Sequence, residues 1–151
     1  MKRNKLTFLK PKKGNSLGQW LLEQGISAGF PSPAEDFKEV RISLDKELVK
    51  NTESTFYARV SGDSMENAGL SDGDLIVIDR SLNPGNNKIA VCFIDGEFTA
   101  KRIILKKEKI FLKPENKNYS IIEIKEENQF LIWGIITYVI KKVKWSKLIK
   151  L

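Results

Sequence analysis

From residue 40 onward the chain alternates short apolar runs with polar punctuation. The runs "TFYARVSG" (55–62), "DLIVID" (74–79), "KIAVCFI" (88–94), "EFTAKRIIL" (97–105), "KIFLKP" (109–114), "SIIEI" (120–124) and "FLIWGIITYVI" (130–140) are rich in β-branched and aromatic residues. Such side chains fit a pleated, half-buried surface better than a helix. Between the runs stand "SDGD", "NPGNN", "DGE" and "PENKN", clusters whose Gly, Pro, Asn and Asp supply turn geometry. Short strands with little helix between them predict a mainly β domain packed around one core. No internal repeat interrupts this pattern.

Ahead of residue 40 the pattern changes. In "SLGQWLLEQG" (16–25) Leu17, Trp20 and Leu21 share a helical face, and Ser16 and Gly25 suit its N-cap and its end, so the spacing predicts a short helix. The following "ISAGFPSPAEDF" (26–37) places one glycine and two prolines within five positions. These residues disfavour both helix and ladder pairing, which leaves an extended, accessible segment, and the compact domain is expected to begin after it.

The longest apolar run, 130–140, has 11 residues and contains Gly134; it is too short for a membrane helix and reads as a buried strand. The basic N-terminus "MKRNKLTFLKPKKGN" carries no apolar stretch of the secretory kind, so a cytoplasmic location is expected. The single Cys92 sits inside "IAVCFI" and is expected to be a small core residue. The net charge of +7 is unevenly spread: residues 1–28 carry +5, residues 141–151 carry five lysines and no acid, and 29–140 carries −3. The basic character therefore lives in the two ends, as solvated tails or as a contact with DNA or an acidic partner. In the tail, Trp145 and Leu148 are expected to pack down. Direct DNA binding stays open at this point.

Histidine is absent. That removes every Ser-His-Asp and Cys-His arrangement from the chain, and one cysteine permits no thiolate cluster, so no metal or other cofactor is expected. One stretch still carries potential chemistry. In "SGDSMENAGLSDGD" (61–74) Asp63 stands three residues before Glu66, the spacing of an N-cap and its reciprocal partner. A short helix starting at Ser64 would aim backbone N–H groups at whatever sits beside its hydroxyl. Serine in a capped turn is also ordinary. A nucleophilic serine here needs a base that is not histidine, and a lysine serves only when neutral, about one molecule in 2,500 at pH 7 for an unperturbed amine. Burial in an apolar strand raises that fraction. Lys101, among Phe98, Ala100, Ile103 and Ile104, and Lys88, heading "KIAVCFI", are the best placed; composition does not choose between them.

Three blocks, "AGFPSPAEDF" (28–37), "SGDSM" with "GLSDGDLIVID" (61–79) and "DGEFTAKRI" (95–103), in this order and spacing, resemble the UmuD-like members of the LexA/UmuD/phage-repressor family of self-cleaving serine peptidases. The resemblance covers about residues 28–140. It implies a mainly β, LexA/UmuD-type peptidase domain of short strands preceded by a flexible N-terminal arm, with residues 1–28 as the arm removed by self-cleavage and 29–151 as the peptidase and dimerisation domain. It implies Ser64 as nucleophile, Lys101 as general base, Ala28–Gly29 as the bond cut, and backbone amides of Asp63 and Ser64 against the oxyanion. It further implies a homodimer, stimulation by a RecA–single-stranded DNA filament, and a processed form that joins a UmuC-type translesion DNA polymerase in SOS mutagenesis. The basic arm 1–15 and the tail 141–151 have no counterpart in these blocks.

Three other readings compete. A membrane signal peptidase has similar serine–lysine chemistry but needs an anchor, and no run supplies one. A phage-type repressor fragment needs duplex binding, which the acidic 29–140 body disfavours, and 28 residues with one predicted helix are too few for a two-helix DNA reader. A non-catalytic dimeric module that only binds a polymerase predicts an arm that is never cut and indifference to loss of Ser64.

Overall fold

A computed structural model of the chain describes residues 7–11, 19–22 and 39–144. Its regular elements are β1 (Thr7–Leu9), β2 (Gln19–Leu22), β3 (Glu39–Ile42), α1 (Leu44–Leu48), β4 (Thr55–Arg59), β5 (Leu75–Asp79), β6 (Ile89–Ile94), β7 (Glu97–Lys106), β8 (Lys109–Lys113), β9 (Ile122–Glu123) and β10 (Phe130–Ile140), with one 3-10 turn at Glu66–Ala68. They fall into two compact units, residues 1–11 with 51–151, and residues 12–50.

The larger unit is an eight-stranded antiparallel sheet in the order β1-β4-β5-β10-β6-β7-β8-β9. Each of the seven apolar runs forms a strand of it. Both faces are covered. Ala90 and Cys92 belong to one buried cluster with Ile103, Leu112 and Ile135, while Val91 between them belongs to another with Ala58, Ile76, Ile78 and Ala100. This is the period-two alternation of a pleated strand, and Cys92 is a buried core residue as expected. The long β10 runs through the middle of the sheet and shifts register between Ile132 and Gly134 and again between Ile136 and Tyr138. Such irregularities bend a strand and let one sheet curl over its own core. Gly134 is required at the bend, since a Cβ there would stand 2.6 Å from Ile78 Cγ2.

Two hairpins tighten the β6–β7–β8 region. Asp95 and Gly96, at φ 46° and 87°, join β6 to β7, the left-handed pair that a two-residue turn needs. Lys107 and Glu108, at φ 49° and 63°, make the same kind of turn between β7 and β8 without a glycine or asparagine.

The arm expected over 1–28 contributes a strand of its own: β1 pairs with β4 through Thr7↔Arg59, Phe8↔Ala58 and Leu9↔Tyr57. The smaller unit corrects the helix expected over 16–25. Gln19–Leu22 is a strand, paired antiparallel with Glu39–Ile42 through Gln19↔Ile42, Trp20↔Arg41, Leu21↔Val40 and Leu22↔Glu39. Propensity is a weak prior for a short segment, and ladder bonds to a partner some twenty residues away override it. Ser16 and Gly25 lie outside the described residues, as do Trp145 and Leu148 of the tail. No helix among the described residues is long and apolar enough to cross a membrane.

Candidate active site

Ser64 lies in the connection between β4 and β5. Hydrogen bonds from Val60 N to Asp74 O and from Gly73 N to Val60 O, both 2.8 Å, close the neck of this loop. Gly62 turns the chain in the left-handed region at φ 95°, and its N–H donates to Asp72 Oδ1 at 2.8 Å. Beyond the serine, Met65 and Leu70 are buried in the core cluster and pin the turn to the sheet. Ser64 is held between a tied neck and an apolar anchor, only 5% exposed.

The helix expected to start at Ser64 is corrected to a 3-10 turn at Glu66–Ala68, with Met65 at its N-cap and no side-chain cap. The Asp63 carboxylate is engaged elsewhere, because Tyr119 Oη donates to it, and only the Asp63 carbonyl serves the turn, accepting from Glu66 N at 3.1 Å. Three residues generate little macrodipole, so any oxyanion stabilisation here rests on individual N–H groups.

Lys101 stands in the middle of β7, opposite Ala90 of β6, with Thr99 opposite Cys92. These share one face of the sheet with Ile103, so the lysine stem rises through apolar surroundings and the residue is 5% exposed. Its Nζ donates to Ser64 Oγ at 3.1 Å, to Thr99 Oγ1 at 2.6 Å and to the Ala100 carbonyl at 3.0 Å. Three acceptors match the three donors of an ammonium, and none is a carboxylate. Burial without a carboxylate partner pushes the amine down from 10.5 to about 8, with the nearby Cys92 thiol acting in the opposite direction. Burial pushes that thiol up to about 12, which leaves it a protonated core residue. Lys88, the other lysine singled out, is exposed and donates to the Asn83 carbonyl at 2.8 Å. The fold brings Lys101 to Ser64 and leaves Lys88 at the surface.

A strap over residues 114–119 joins the two elements. Glu115 N donates to the Ser64 carbonyl at 2.9 Å, and Asn67 N donates to the Glu115 carbonyl at 2.9 Å. Asn116 Nδ2 donates to the Asp63 carbonyl at 3.0 Å. The Glu115 carboxylate accepts from Arg102 Nε at 2.5 Å, one residue beyond Lys101. Glu115 thus touches the serine turn with its backbone and the lysine strand with its side chain. Sequence reasoning missed Glu115, Asn116 and Tyr119, which no local pattern links to a turn some fifty residues earlier. Thr99 was missed as well, although a residue two before Lys101 shares its face of a strand and so could have been found. Ala28 and Gly29 lie outside the described residues. Among the described residues no group of three or more His, Cys, Asp or Glu is placed to hold a metal ion.

A hydroxyl 3.1 Å from an amine of lowered basicity is an arrangement for nucleophilic attack: the amine, when neutral, accepts the hydroxyl proton as the oxygen adds to a carbonyl. The chain also resembles known proteins. The model of the family described as Peptidase S24-like matches residues 21–137. The chain is similar to the protein MucA of Salmonella typhimurium, 40% identical over 116 residues that span 76% of this chain and 79% of that protein. It is similar to the protein ImpA of Salmonella typhimurium, 36% identical over 134 residues, 89% and 91% of the two chains. With the protein SamA of Salmonella typhimurium it shares 40% identity over 124 residues, 82% and 86% of the two chains.

Proposed function

The chain belongs to the Peptidase S24-like family as a UmuD-like member, and from that premise we propose that it is a self-cleaving serine endopeptidase in which Ser64 and Lys101 cut the bond Ala28–Gly29. The observation that carries this reading is the 3.1 Å contact between Lys101 Nζ and Ser64 Oγ, made by an amine that burial lowers to about 8. At pH 7 about one amine in ten is then neutral, against about one in 2,500 for an exposed lysine.

In the forward step the neutral Lys101 amine takes the Ser64 proton as Oγ adds to the Ala28 carbonyl carbon. The oxyanion so formed lies against the backbone amides of Asp63 and Ser64. Collapse breaks the Ala28–Gly29 bond, and the Lys101 ammonium returns its proton to the Gly29 nitrogen. Lys101 then takes a proton from water as its oxygen adds to the Ser64 ester and returns it to Ser64 Oγ as the ester bond breaks, releasing residues 1–28 with a free carboxylate. Small residues on both sides of the bond let its carbonyl approach a 5%-exposed hydroxyl, and the prolines behind it keep the segment extended. Because catalyst and substrate share one chain or one dimer, effective concentration is high and a slow catalyst suffices as a single-turnover switch.

The same reading assigns a homodimer, an activator in the RecA–single-stranded DNA filament, and a processed form that serves as accessory subunit of a UmuC-type translesion polymerase in SOS mutagenesis. The test is intact mass of the purified chain, alone and with RecA filament, beside Ser64→Ala. Products corresponding to 1–28 and 29–151 from the wild type and none from the variant are expected. Wild type that stays intact in the presence of filament, or a variant that is still cut, contradicts the reading.

A further inference from the structure

The strand β1 comes from the segment that self-cleavage would remove, yet it is built into the sheet of the body. Phe8 packs its ring 5.1 Å from Phe98 and 4.6 Å from Trp133. These belong to an aromatic cluster with Phe56, 5.0 Å from Trp133, and Phe93, 5.4 Å from Phe98. The other four rings come from β4, β6, β7 and β10, and all remain half-buried with Phe8 in place. Two positions along, Lys10 Nζ stands 5.6 Å from the centre of the Phe56 ring, a cation–π distance. Beneath them β1 covers the edge of β4 over Arg59, Ala58 and Tyr57.

We propose that this edge of β4, with the Phe56, Phe98 and Trp133 rings beside it, is a peptide-docking surface that the arm occupies in the intact chain and vacates after the cut. Its occupant in the processed chain is an extended segment of a partner protein, carrying an aromatic residue with a basic residue two positions after it. The proposal rests on the self-cleavage reading for how the surface opens, and not for what it binds. An uncovered strand edge supplies main-chain hydrogen bonds and the rings supply selectivity, which is recognition by strand addition. The seated Thr7–Lys10 segment shows the register and chemistry that fit. Before the cut the edge sees its own arm at an effective concentration of about 1 mM, and afterwards at the ~10 μM of a typical sample, a fall of about 100-fold. Three paired residues and one ring do not hold a free fragment at that concentration. The second ladder that crosses the cut, β2 on β3, is a two-stranded sheet of four residues per strand, marginal by itself in water.

The test uses a fluorescein-labelled peptide of residues 5–11, "KLTFLKP", titrated by anisotropy against three preparations. Ser64→Ala stays uncut and its edge stays covered. Ser64→Ala with Phe8→Asp stays uncut but has lost the ring that seats β1. Self-cleaved wild type, verified by mass, has lost the arm. At least tenfold tighter binding to the second and third than to the first is expected, with at least a tenfold loss for the Phe8→Ala peptide. If wild type resists cleavage while the double variant binds, the docking surface stands and the self-cleavage reading falls. If neither the cut chain nor the double variant binds, or if gel filtration shows the cut chain still carrying residues 1–28, the proposal is overturned.

Discussion

Replacing Lys101 by methionine in a Ser64→Ala background removes a buried amine while keeping an unbranched stem of similar length. In the folded chain the amine titrates at about 8 against an ordinary 10.5, because burial disfavours its charged form. The unfolded chain therefore binds more protons than the folded one between these values. Stability of the lysine-bearing chain is at its lower level below about pH 8 and rises as pH climbs towards 10.5. At about 1.4 kcal/mol per decade, the charged amine costs the fold about 3 kcal/mol at pH 7 and under ~1 kcal/mol at pH 10. With Lys101 only 5% exposed, solvent screening removes little of this. Methionine does not titrate, although it leaves the Thr99 hydroxyl and Ala100 carbonyl without their donor, a penalty common to both pH values. The stability of Lys101→Met relative to its lysine-bearing parent should thus fall by ~2–3 kcal/mol between pH 7 and 10, read by urea unfolding with tryptophan fluorescence. A difference that does not change with pH would refute a buried, low-pKa amine at this position.

Other consequences follow from single contacts. Thr99→Val removes the acceptor 2.6 Å from Lys101 Nζ and should slow self-cleavage by about 10- to 100-fold, since small misplacements of a reacting group carry penalties of that order, and it should cost ~1–3 kcal/mol of stability in urea unfolding, since a buried donor is left unpaired. Gly134→Ala pushes a methyl to 2.6 Å from Ile78 Cγ2 and 3.2 Å from Arg80 Cγ, and calorimetry should find a loss of ~1–3 kcal/mol. Changing Lys107-Glu108 to Asn-Gly should add about 1 kcal/mol, since both residues now hold positive φ in a two-residue hairpin.

The β framework was legible because its signal is local. β-branched and aromatic runs between Gly, Pro, Asn and Asp clusters mark seven strands of the sheet, and Cys92 falls where its apolar neighbours place it. What was misread depends on residues distant in sequence. Gln19–Leu22 is a strand because Glu39–Ile42 offers it a ladder, which a 3.6-residue period cannot register. Asp63 does not cap a helix because Tyr119 engages its carboxylate. Thr7–Leu9 hides in a lysine-rich arm, three residues long, and becomes a strand through β4 and the aromatic cluster. The choice between Lys88 and Lys101 was likewise not a matter of neighbours in sequence. Lys101 faces Ala90 and the serine turn across the sheet, whereas Lys88 heads its strand at the surface.

The central claim is that the Ser64 hydroxyl is activated by a neutral Lys101, and the rate of self-cleavage against pH tests it most directly. Followed by intact mass from pH 6 to 10 at fixed chain concentration, the rate should rise about tenfold per pH unit and level off near pH 8, with Lys101→Ala inactive throughout. A rate flat from pH 6 to 10, or cleavage that persists in Lys101→Ala, would contradict it.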